Sequence, residues 1–248
     1  MTEIQNDYLL DKKVKMFQSD DGYKTSSDAV LLSSLVFNVK AGAKILDVGS
    51  GVGGISLCLA HRLKNTQIVG FEIQPELTKL ANMSAEANGF LNLKYIEHDI
   101  REKKTPLPFG SFDHVITNPP YSKDGSKSPN PSKATAHNQQ NITLETWLKF
   151  CLKMLKPYGF LYLIDRVEAL DEILSILYQK AGNIRLIPVY SKEKQKAKRV
   201  MLIAQKDSKT PMTITPPLII HEDEGYTKTA EQILRGGKSF FEIDISET

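Results

Sequence analysis

Four residues able to bind or polarise a ligand recur along the chain at near-regular intervals: Asp47, Glu72, Asp99 and Asn118. Each closes a short apolar run that reads as a β-strand. In an open parallel sheet, ligands collect outside the carboxyl ends of the strands, where strand order switches, so the four predict one shared site. The first is followed by Gly49-Ser50-Gly51-Val52-Gly53-Gly54. Glycines let a backbone approach a ligand closely, and the helix start beyond them offers free N–H donors. The spacing of Gly49, Gly51 and Gly54 also satisfies the dinucleotide pattern G-x-G-x-x-G. Asp47 separates the two readings. A carboxylate just before the turn would repel a pyrophosphate, whereas it suits a ligand carrying an ammonium group and a sulfonium centre, S-adenosyl-L-methionine. Glu72 lies about 25 residues on, where a carboxylate commonly holds both ribose hydroxyls. Asp99 either accepts an adenine amine or serves as a turn or cap residue. Ser50, with Ile73 and Ile100 next after Glu72 and Asp99, completes the expected cofactor set.

The most specific stretch is Asn118-Pro119-Pro120-Tyr121. Two successive prolines offer no N–H, so a strand cannot continue its ladder through them and the carbonyls at its end stay free. A planar amine such as the exocyclic group of adenine is a poor nucleophile, because its lone pair is delocalised into the ring. If the Asn118 side-chain oxygen and the Pro119 carbonyl accept both amine protons, the nitrogen is drawn towards a tetrahedral shape, with its lone pair aimed at a sulfonium methyl. The help is positional and electrostatic. Tyr121 supplies a flat face for an unstacked base, worth roughly 1–3 kcal/mol.

These residues need an alternating scaffold, and the sequence from Ala43 onward supplies one. Expected strands are Lys44–Val48, Gln67–Glu72, Leu93–Glu97, Asp113–Thr117 and Phe160–Ile164. Expected helices are Gly54–Leu63, Pro75–Asn88 closed by Gly89, a Thr143-capped helix to about Lys156, and Glu168–Ala181 closed by Gly182. Ile184–Tyr190 and Arg199–Gln205 read as a final strand pair. Ahead of this core, residues 8–25 read as short strands or a hairpin, with Val14, Met16 and Gln18 on one face and Asp20-Asp21-Gly22 as the turn. Ser26-Ser27-Asp28 then caps a helix. Asp28 either complements that helix's dipole or contacts the charged end of the cofactor. The expected fold is α/β throughout residues 1–248: an N-terminal hairpin and helix (1–42), a catalytic core (43–206) and a C-terminal extension (207–248).

Lys plus Arg number 32 against 29 Asp plus Glu, a net of +3, which permits a nucleic-acid partner without demanding one. Cys58 and Cys151 are the only cysteines, which argues against a disulfide framework or a zinc site and suits a reducing compartment. The first residues hold no apolar signal core, and no stretch is long enough to span a bilayer. A soluble cytoplasmic protein without metal or membrane partners is expected. Two basic stretches stand out. Lys192–Arg199 carries five cations and one anion, and Lys123, Lys127, Lys133 and His137 stud the polar loop after Tyr121. Each is either a solvated loop or a phosphate contact, since phosphates supply most of the affinity for a nucleic acid. His137 reads as a loop histidine rather than a base.

The chain resembles the class I S-adenosylmethionine-dependent methyltransferases, and more narrowly the bacterial tRNA1(Val) adenine-37 N6-methyltransferase group. The residues that carry the resemblance are Gly22–Leu32, the glycine turn, Asn118–Tyr121, Arg199–Ala204 and Pro216–His221 before Tyr226-Thr227. It implies a Rossmann-like, seven-stranded, mostly parallel sheet with helices on both faces and an antiparallel edge strand. It also implies a tRNA partner, with N6-methylation of an exposed adenine in the anticodon loop. Two positions depart from the family: Lys24 stands where arginine is usual, and Asp11-Lys12 where a glycine pair is expected. The same motif could serve the side-chain amide of a release-factor glutamine, though that group carries a sizeable N-terminal helical domain and only about forty residues precede the turn here. Methylation of a ribosomal-RNA guanine amine is a third option, though the resemblance implies that Tyr121 favours adenine or glutamine over guanine. An RNA-binding protein with an inactive methyltransferase fold would be marked by loss of Asp47 or Asn118, and both are present.

Overall fold

The computed structural model describes residues 4–19, 26–120 and 142–243. The N-terminal hairpin pairs β1 (Ile4–Leu9) with β2 (Val14–Ser19). The expected inner face is observed, with Val14, Met16 and Gln18 buried. The two strands are joined by a turn at Leu10–Lys13; the turn expected at Asp20-Asp21-Gly22 lies outside the described residues. Leu10, Asp11 and Lys12 all sit at φ between 53° and 65°. That left-handed conformation favours glycine, so Asp11-Lys12 occupies positions where a glycine pair would be unstrained. The hairpin is fastened to the core by its backbone: the Asn88 side chain bonds both the N–H and the carbonyl of Lys15, and the Phe17 N–H donates to Ser84 Oγ.

Next come α1 (Ser27–Ser34), β3 (Lys44–Val48), α2 (Gly54–Arg62), β4 (Gln67–Glu72), α3 (Pro75–Ala87), β5 (Leu93–Glu97) and β6 (Phe112–Thr117). They are followed by α4 (Leu144–Met154), β7 (Leu155–Arg166), α5 (Leu170–Leu177), β8 (Ala181–Tyr190), β9 (Arg199–Lys206), β10 (Thr213–Ile214), β11 (Leu218–Ile219) and α6 (Lys228–Leu234). The sheet runs β10-β8-β9-β7-β6-β3-β4-β5, with β11 also on β8. All its pairings are parallel except those of β9 with β7 and β8. The mostly parallel sheet expected from the sequence is therefore present, with two refinements. The two-residue strands β10 and β11 raise the count from seven to nine, and the antiparallel strand β9 lies two places inside the β10 edge rather than on the edge.

Because helices cover both faces, the central strands are apolar on both sides, and alternate residues sort into two cores. Tyr162, Ile164, Met201 and Ile203 face the layer of α1, α2 and α6, while Leu161, Leu163, Val200 and Leu202 face α4 and α5. One helix differs from expectation. α5 ends at Leu177, and Gln179 at φ 60° turns the chain, so Gly182 does not close a helix but lies in β8. A Cβ on Gly182 would sit 2.5 Å from the Ser208 carbonyl oxygen, so this glycine serves close backbone approach.

Candidate active site

The carboxyl ends of β3, β4, β5 and β6 open on one edge of the sheet, and the sequence-selected residues gather there. The turn after β3 holds Gly49, Gly51 and Gly53 at φ 74°, 56° and 91°, conformations that side chains resist. It is locked to the next strand by the Gly49 and Ser50 N–H groups, both donating to the Phe71 carbonyl at 2.9 Å. Glu72, buried at the end of β4, accepts from the Gly51 N–H through Oε2 and from the Gln74 N–H through Oε1, each at 2.9 Å. Ile73 directly follows β4 and Ile100 lies three residues beyond β5; both are half-buried.

Residues outside the motif shape the turn. Gly49 faces Trp147 of α4, and a Cβ there would lie 2.7 Å from the indole. The indole N–H donates to Thr117 Oγ1 at 2.9 Å, and that hydroxyl donates to the Val48 carbonyl at 2.8 Å. One hydroxyl thus ties α4, β6 and the last residue of β3. Behind the turn, Tyr95 fills the space that side chains on Gly53 and Gly70 would need, and its hydroxyl donates to the Gly53 carbonyl. The sole tryptophan, in a helix with a strong apolar face, was the available signal for Trp147; nothing in the sequence pairs Tyr95 with Gly53.

Asp47 is fully buried and accepts from the Ser56 hydroxyl at 2.6 Å through Oδ2. Burial pushes its carboxyl up to about 7, against the lowering pull of Ser56. The sequence reading treats Asp47 as a fixed anion; in this enclosure it is one only in part at neutral pH, and a nearby cation would complete the ionisation. Asp99 is held by Arg101, whose guanidinium reaches both carboxylate oxygens and whose N–H donates to Oδ1. These bonds hold Asp99 below the usual carboxylate range. Of its two expected roles, the turn role is the one its contacts display. Asp28, in the first turn of α1, pairs with Arg199 at the start of β9 at 3.1 Å.

Four buried side-chain polar atoms have no hydrogen-bond partner among the described residues: Asp47 Oδ1, Ser50 Oγ, His98 Nε2 and Asn118 Oδ1. All four lie at this edge. His98, next after β5, is packed among Phe71 and Phe150, and burial lowers its basicity. No other buried side-chain polar atom among the described residues lacks a partner, and an unsatisfied one costs about 1–3 kcal/mol, so a cluster of four marks a place shaped for a polar ligand. Acceptors predominate: Asp47, Glu72, Asp99 and Asn118 suit a ligand rich in hydroxyl, amine and cationic groups, and Gly51 faces open space. These residues fit S-adenosyl-L-methionine. Pro119 is buried and Pro120 half-buried after Asn118, while Tyr121, Lys123, Lys127, Lys133 and His137 lie outside the described residues. Among the described residues no group of three or more His, Cys, Asp or Glu could hold a metal ion, and no helix is long and apolar enough to cross a membrane.

Residues 39–206 match the family model described as a methyltransferase domain. The chain is 26% identical over 227 residues to the tRNA1(Val) (adenine(37)-N6)-methyltransferase of Vibrio campbellii, covering 90% of this chain and 92% of that one. It is 28% identical over 225 residues to the enzyme of the same name from Porphyromonas gingivalis, covering 87% and 88%. Among solved structures it is similar to one described as a predicted O-methyltransferase of Agrobacterium tumefaciens, with a TM-score of 0.72 and 26% identity, covering 86% of this chain and 97% of that chain.

Proposed function

The chain belongs to the methyltransferase-domain family, and on that premise we propose that it methylates the N6 amine of adenine 37 in a tRNA, with S-adenosyl-L-methionine as methyl donor. The observation that carries this reading is Asn118 Oδ1, a buried acceptor without a partner among the described residues, at the end of β6 beside the glycine turn. When bound, the cofactor supplies an electrophilic methyl group on a sulfonium centre. Glu72, Ser50, Gly49 and Gly51 would hold it at the turn, Ile73 and Ile100 would line the place for its base, and Asp47 would supply negative charge behind the turn.

Asn118 Oδ1 and the Pro119 carbonyl accept hydrogen bonds from the two N–H groups of the substrate amine, and one of these protons is lost to solvent once the nitrogen is methylated. These bonds loosen the nitrogen lone pair from the ring and fix its direction, so the residues contribute by orientation and preorganised charge. Pro119 and Pro120 keep the strand end from closing into a ladder. A hydroxyl substrate has one proton to give, so a paired acceptor favours an amine over the O-methylation named for the Agrobacterium structure. The names of the Vibrio and Porphyromonas relatives support tRNA and adenine 37 over a release-factor glutamine. This reading places the protein in the cytoplasm.

The test is to incubate the protein and labelled cofactor with unmodified tRNA, ribosomal RNA and release factor, then digest each and identify the product. Label in N6-methyladenosine at tRNA position 37 is expected. Label confined to glutamine would overturn the assignment.

A further inference from the structure

β9 runs against its neighbours, so the connection from the end of β8 to the start of β9 opens on the same edge as Asn118. Strands lie about 4.8 Å apart, which puts this connection, residues 191–198, about 10–15 Å along the edge from β6. It is pinned at its base by the Lys198 N–H donating to the Val189 carbonyl. Lys192, Lys194, Lys196 and Lys198 are all exposed. Lys192 is paired with Asp223 at 3.6 Å, from a turn that lies alongside through the His221 N–H to Ser191 carbonyl bond. Arg199 is drawn to Asp28. The side chains of Lys194, Lys196 and Lys198 form no ion pair or hydrogen bond among the described residues.

Resting on the function proposed above, we propose that Lys194, Lys196 and Lys198 form a strip that grips the phosphate backbone of the RNA while its target base sits at Asn118. The intervening Gln195 and Ala197 give an apolar partner nothing to dock against. Lysines act on phosphates as point charges and carry no planar fork for reading base edges. The strip therefore sets affinity without choosing sequence. Its position matches a large polyanion that reaches beyond a base held at β6, and the neighbouring acids Glu222, Asp223 and Glu224 limit the grip to the outer lysines.

The experiment compares tRNA methylation by the wild type, by Lys194→Gln/Lys196→Gln/Lys198→Gln, and by a charge-matched control, Lys40→Gln/Lys44→Gln/Lys209→Gln, at the opposite edge of the sheet. Each is measured from about 50 to 200 mM salt. Losing three phosphate contacts should lower the slope of log kcat/KM against log salt by roughly two to three and raise the KM for tRNA about tenfold near 0.15 M salt. kcat at saturating tRNA and the cofactor Kd should not change, and the control should track the wild type. A strip variant with the wild-type slope, or one no different from the control, overturns the strip alone. A wild type that methylates release factor and no RNA overturns the function, and the strip with it.

Discussion

Asn118 divides the carboxyl edge of the sheet into two halves built by opposite rules. On the β3–β5 side the polar atoms are buried and several await a partner: Asp47 Oδ1, Ser50 Oγ and His98 Nε2. On the β7–β9 side the charges are exposed or already engaged: Asp28 with Arg199, Lys192 with Asp223, and Asp165 with the Arg166 N–H. A small ligand that is wholly enclosed can supply every missing hydrogen bond in a low-dielectric setting, where each one counts strongly. A macromolecule touches only through its surface and stays wet, so its contacts are numerous, individually weak and sensitive to salt. Enclosure suits the β3–β5 half to a small ligand, and exposure suits the β7–β9 half to a large one.

The sharpest way to break this division is at its boundary. Asn118→Ala should lower kcat about 10²–10³-fold, the scale for losing one preorganised polar group, with cofactor Kd changed by less than about twofold on the scale of that binding loss. Equal loss of both would show that Asn118 belongs to the enclosed half. Glu72→Gln should weaken cofactor binding about 10–100-fold by calorimetry, as expected for charged hydrogen bonds, and leave the KM for tRNA alone. A comparable rise in both would merge the halves.

Asp47 gives a pH signature. Its carboxyl is raised to about 7 from an ordinary 3.8, so the folded protein holds a proton that the unfolded chain has released. Stability from this group is therefore greatest below about pH 4 and falls as pH rises to about 7, by at most about 1.4 kcal/mol per pH unit. A cationic ligand expels that proton, so cofactor affinity should rise up to about tenfold per unit between pH 5 and 7 and level off above. Asp47→Asn should flatten both curves; a wild-type affinity independent of pH would remove the charge role given to Asp47. The smallest effect is expected for Asp28→Asn. Breaking the pair with Arg199 should cost about 1 kcal/mol in urea unfolding, with cofactor Kd unchanged, whereas a weakened Kd would return Asp28 to the cofactor's charged end.

Much of the enclosed half was legible in the sequence, because strand periodicity and glycine spacing are local. β3, β4 and β5 have the expected bounds, and Asp47, the glycine turn, Glu72 and Asn118 meet at one edge. What the sequence does not display is contact at a distance. Trp147 and Thr117 bracing the turn, Tyr95 behind Gly53 and Gly70, and Arg101 clasping Asp99 depend on how elements pack. The hairpin turn was not legible either: the chain reverses at Leu10–Lys13 through three non-glycine residues at positive φ, which nothing local in the sequence signals. Gly182 was misread for a related reason, since a helix-closing glycine and a glycine admitting a neighbouring backbone look alike in one dimension.

The reversal of β9 has a bearing on how such proteins diversify. Both ends of the 191–198 connection are anchored in the sheet, so residues added between them extend into solvent and leave every core strand in register. Each doubling of a flexible connection costs only about 0.6 kcal/mol. Changes of length and charge there leave untouched the strands that carry Asp47, Glu72 and Asn118.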